Sequence, residues 1–85
     1  MEDAAHDQDL RALADRLLAF IARPRLRHEE AYVLAGCAGT LLCRVRPSPQ
    51  RLAAAISALR SAGGDSDLEA ALLKLGPDLT KEKNP

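Results

Sequence analysis

Apolar residues recur along this chain at helical spacing. Leu10, Leu13, Leu17, Leu18 and Ile21 fall at i, i+3, i+7, i+8 and i+11, one stripe of a helix expected from about Asp7 to Ala22. Asp9, Arg11, Asp15 and Arg16 occupy the remaining positions, and Asp7 and Asp9 suit the positive end of the helix dipole. Arg23-Pro24 ends it, because the residue before proline is pushed out of the helical region.

A second helix is expected to begin after Arg27, with His28 near the cap and Glu29 and Glu30 in the first turn. It runs from Ala31 through Cys43 and ends near Val45, before Pro47. Being apolar around most of its circumference, it is expected to be the central helix, covered on several sides. Gly36 and Gly39 each cost up to about 1 kcal/mol against alanine in a helix interior. A close neighbour would offset that cost, since with Ala35 and Ala38 they make a smooth strip.

Ser48-Pro49 opens a third helix, serine as cap and proline in the first turn, with Leu52, Ala55, Ile56 and Leu59 as its buried stripe. Gly63-Gly64 closes it. The fourth helix is expected to start at Ser66, boxed by Glu69, to bury Leu68, Ala71, Leu72 and Leu75, and to stop at Gly76-Pro77. The fold expected is all-α: four short helices in two antiparallel hairpins, helical-repeat-like or a small bundle. Residues 1–6 are read as a flexible amino terminus, 7–76 as a single helical domain and 77–85 as a disordered polar tail.

Composition sharpens the picture. Sixteen alanines and fifteen leucines against four Val and Ile together favour helix over sheet. Twelve basic and twelve acidic residues cancel, which argues against nucleic acid or an anionic membrane as the partner. The charges are segregated, however. Residues 1–22 sum to −3, residues 23–51 to +4 and residues 52–85 to −1. Arg23, Arg25 and Arg27 precede the second helix, and Arg44, Arg46 and Arg51 follow it, so they form two modest patches at its opposite ends. With Phe20 and Tyr32 as the two aromatics, base-stacking platforms and aromatic cages are excluded.

Candidate chemistry is sparse. Cys37 and Cys43 lie ~9 Å apart along a helix axis, beyond the about 4.4–6.8 Å a disulfide spans. They read as buried small apolar residues of a reducing cytoplasm. His6 and His28 have no ligand partners at metal-binding spacing, and no Gly-rich phosphate loop follows a strand. A cysteine nucleophile wants a partially exposed thiolate beside a base, whereas Cys37 and Cys43 sit in an apolar run. No catalytic residue, metal or cofactor is therefore expected, and no enzyme. The uncharged run Ala31–Cys43 is 13 residues, too short for the about 20 of a membrane span. No basic segment followed by an apolar core opens the chain, and the protein is read as cytoplasmic.

A Leu-rich first helix, then His28-Glu29-Glu30-Ala31 opening an Ala/Cys-rich second helix, then Gly63-Gly64-Asp65 leading into Leu68-Glu69-Ala70-Ala71-Leu72, form an ordered pattern. Over about Leu10 to Leu75 it resembles the amino-terminal half of the tetratricopeptide-like chaperones that hold the needle subunit of bacterial type III secretion systems. The resemblance implies a cytoplasmic chaperone or co-chaperone whose groove shields an aggregation-prone helical segment. Stacked helical repeats need about three units for stability, so two hairpins would lean on a partner or a dimer.

The expectation is thus a non-enzymatic interaction domain that binds a protein through an apolar helical surface, as a homodimer or hetero-complex. Leu13, Leu17, Tyr32, Ala35, Gly36 and Gly39 are the candidate partner contacts. Arg23, Arg25 and Arg27 are candidates for an anion or an acidic partner. The alternative is a small regulator that binds nucleic acid or a transcription regulator.

Overall fold

A computed structural model describes the backbone of residues 2–83 and the side chains of residues 8–75. The expected flexible segment 1–6 and tail 77–85 concern side chains outside the described residues. Four helices follow one another: α1 (Glu2–Ile21), α2 (His28–Leu42), α3 (Pro49–Ser61) and α4 (Ser66–Lys83). No strand occurs among the described residues. Each helix packs on the next in two antiparallel hairpins, and α1 returns onto α4, which closes a small all-α bundle.

The core is built almost wholly from leucine and alanine. Leu10, Leu13, Ala14, Leu17 and Phe20 of α1 meet Leu34, Cys37, Ala38 and Leu41 of α2. Leu52, Ala55, Ile56, Ala58 and Leu59 of α3 and Leu68, Leu72 and Leu75 of α4 complete it. No described polar side chain is buried in it. The face of α1 is turned slightly from the expected stripe: Phe20 is inside, Ile21 only partly, and Leu18 is exposed. A helix that buries 10, 13, 14, 17 and 20 leaves position 18 one residue, about 100°, off that face.

Three expected helix bounds do not hold. The first helix begins at Glu2 rather than near Asp7, and the last continues through Gly76-Pro77 to Lys83. Pro77 has no N–H for the carbonyl of Leu73, and Leu73 lies on the exposed side of the helix. The second helix ends at Leu42, short of Val45.

The helix ends show local chemistry at work. Ser48 caps α3 as expected, its hydroxyl oxygen accepting the Arg51 N–H at 3.2 Å, with Pro49 at the first position. The last helix, α4, starts at Ser66 as expected, but its capping differs. Asp65, not Ser66, is the cap, its Oδ1 accepting the N–H groups of Asp67 (2.9 Å) and Leu68 (3.2 Å). A carboxylate at the positive helix end is the stronger acceptor. Glu69 closes no box with Ser66; it accepts instead from Arg60 Nε at 2.6 Å.

Both inner helices terminate in the same pattern. The N–H of Gly64 reaches the Leu59 carbonyl at 2.8 Å and that of Gly63 the Arg60 carbonyl at 3.1 Å. Gly63 takes φ +78, the left-handed turn residue that ends such helices. After α2 the equivalent bonds run from Val45 to Thr40 and from Arg44 to Leu41, and Arg44 holds φ 63.

Candidate functional site

The second helix is buried on one side only, which overturns the expectation of cover all round. Leu34, Cys37, Ala38 and Leu41 face the core. Tyr32, Ala35, Gly36, Gly39 and Leu42 face outward, at i, i+3, i+4, i+7 and i+10. This outer stripe carries no charge. Tyr32 is 78% exposed although it is the larger of the two aromatics.

Gly36 and Gly39 do not serve a close contact within the chain. A Cβ built at either position meets nothing within 4 Å. Their cost in helix propensity is therefore not offset by packing inside this molecule.

Beside the stripe, α2 and α3 leave a groove of about 480 Å³ lined by Tyr32, Val33, Ala35, Gly36, Arg51 and Ala54. Arg51 is its one charged wall. Its Nη1 donates to Thr40 Oγ1 at 2.8 Å, and that hydroxyl donates to the Gly36 carbonyl at 3.0 Å. The relay fixes the guanidinium at the rim. Cys37, on the inner side of α2, has its thiol pushed up to about 11 by burial, with Arg51 pulling the other way. It stays protonated at neutral pH. Cys43, expected to be buried like Cys37, is exposed instead, because α2 ends at Leu42 and leaves it at the C-cap.

The structure sorts the sequence-derived candidates. Tyr32, Ala35, Gly36 and Gly39 come together on the open face. Leu13 and Leu17 do not join them; at 8% and 0% exposure they are core, out of a partner's reach. Their side of α1 is the side that α2 covers.

Of the arginines before α2, Arg23 and Arg25 line a second hollow of about 300 Å³ with Pro24, Leu26 and Ala62. The Arg23 guanidinium lies 4.2 Å from the Phe20 ring centroid, a cation–π contact. Arg27 lies outside that hollow, at the N-cap of α2, where its backbone N–H donates to Glu30 Oε1 at 3.4 Å.

The sequence reading missed Arg51 and Ala54. The signal was present, since a helix that starts at Ser48-Pro49 and buries Leu52, Ala55 and Ile56 must carry 51 and 54 toward its other flank.

Among the described residues, no three His, Cys, Asp or Glu side chains gather as metal ligands, and no helix is long and apolar enough to cross a membrane. Comparison with protein-family models, curated protein sequences and solved structures finds no match.

Proposed function

We propose that this chain is a non-enzymatic protein–protein interaction domain whose open α2–α3 face receives an apolar helical segment of another protein. The observation that carries the reading is an exposed tyrosine beside two helix-interior glycines that face open space. An apolar strip of that kind on a small domain fits a partner surface. The resemblance to needle-subunit chaperones supports the more specific reading of a secretion chaperone or co-chaperone that shields its client until delivery.

The test is affinity capture from the encoding organism at low and high salt, with the parent chain and a Gly36→Leu variant. Leucine at position 36 meets open space in the free chain, so the variant folds and melts at or slightly above the parent. The expected result is a protein held through high salt by the parent and lost by the variant. Nucleic acid recovered only at low salt would replace this reading with the regulator alternative, because phosphate contacts weaken steeply with salt.

A further inference from the structure

The lining of the α2–α3 groove also specifies what its occupant carries. We propose that the occupant is an amphipathic helix of a different protein that lays an apolar edge over Ala35, Gly36 and Ala54 and sets a glutamate or aspartate against Arg51. The inference rests on the groove reading above and adds the chemistry of the partner.

Two observations support it. The first is the form of the site. Two helices with no strand edge among the described residues offer no backbone ladder to an extended peptide, so recognition takes the helix-in-groove mode. The absent side chains at Gly36 and Gly39 leave room for an incoming helix to approach closely.

The second is charge. Arg16 is paired with Asp65 and Asp67, and Arg60 with Glu69, whereas among the described residues no carboxylate pairs with Arg51, whose guanidinium donates to the Thr40 hydroxyl. The remaining N–H donors of that planar group stay available at the edge of an apolar trough, an arrangement suited to a carboxylate.

A second copy of this chain is the competing occupant. A two-fold contact places the same patch on both sides. The groove's own rim residue, Arg51, is then offered by both copies, and sedimentation decides between that occupant and a different protein.

The probes are three short helical peptides with an Ala/Leu face and a single Glu, Gln or Lys at the position flanking that face. Titrations follow backbone resonances of Gly36, Gly39 and Ala54 in the full chain, and sedimentation gives its oligomeric state. The Glu peptide is expected to shift these resonances and bind about three- to tenfold tighter than the Gln peptide, an advantage that shrinks with salt. Arg51→Gln erases the difference, and Arg51→Glu transfers the preference to the Lys peptide. Both variants keep the fold, since residue 51 is exposed in the first turn of α3, where an acid suits the helix dipole.

If the Glu and Gln peptides bind the parent equally at the groove, the carboxylate inference falls while the groove reading stands. If no peptide moves the groove resonances, or if the chain sediments as a dimer with these resonances already protected, both fall.

Discussion

Replacing Gly36 and Gly39 by alanine should make the isolated protein more stable. Each site lies inside a helix, on its solvent side, and a Cβ there meets nothing within 4 Å. The folded state therefore gains no clash, and the unfolded state loses conformational freedom. The gain is about 0.8–1.0 kcal/mol per exposed Gly→Ala change in a helix interior. For a domain of this size that corresponds to roughly 4–8 °C in Tm for each site.

The same exchange has the opposite sign at the end of α3. A Cβ on Gly64 would stand 2.6 Å from the Leu59 carbonyl oxygen, a backbone atom that cannot swing aside. Gly63 holds φ +78, where an L side chain is strained by about 1–2 kcal/mol. Thermal and urea melts by circular dichroism, at several protein concentrations, measure all four variants. Gly36→Ala and Gly39→Ala should raise the urea midpoint without changing the slope, while Gly63→Ala and Gly64→Ala lower it. A destabilised Gly36→Ala variant would refute the reasoning, because it would mean that the outer face of α2 is occupied in the free protein.

Leu17→Ala removes a side chain with 0% exposure and should cost about 2–5 kcal/mol, as much as the whole core of so small a domain supplies. Loss of the cooperative helical melt is the expected readout, and a parent-like melt would return Leu17 to the surface. Exposed Cys43 should react with a thiol reagent at once, and buried Cys37 only as the chain unfolds. Peptide mapping after a short pulse that found both labelled equally would contradict the packing of α2. Backbone N–H groups of Leu68 and then Asp67, with Arg16 beside them, hold the Asp65 carboxyl below its ordinary 3.8. Its contribution to stability is therefore complete above that value and lost as pH falls through the lowered one. Asp65→Asn keeps an acceptor for the cap, so the parent's advantage should vanish in acid. Identical acid flanks in melts of the two proteins would refute this.

Much of the fold was legible because leucine spacing, Ser48-Pro49 and Gly63-Gly64 all point to the same helices. The errors have physical causes. Asp65 and Ser66 are both competent caps, and only the positions of the N–H groups they face decide between them. The exposure of α2 was illegible for a related reason. Alanine and glycine have so little side-chain area that hydropathy hardly distinguishes a covered small residue such as Ala38 from an open one such as Ala35. Leu13 and Leu17 read as outer contacts only while the partner of α1 was unknown. Half of the site was therefore visible in the residues of one helix. The other half, Arg51 and Ala54, needed the neighbouring helix in place.

The return of α1 onto α4 bears on how the molecule assembles. Every other packed pair of helices is adjacent along the chain, so its contacts close short loops. Joining the first helix to the last must close all the chain between them, at an entropic cost that rises by about 0.6 kcal/mol for each doubling of loop length. Contacts of that kind are expected to form after the hairpins. Weakening the seam where Arg16 and Phe20 lie beside Asp65 and Leu68 then leaves the folding rate nearly unchanged and speeds unfolding. The bundle is a ring whose clasp joins its two most distant helices, and opening is expected to begin there.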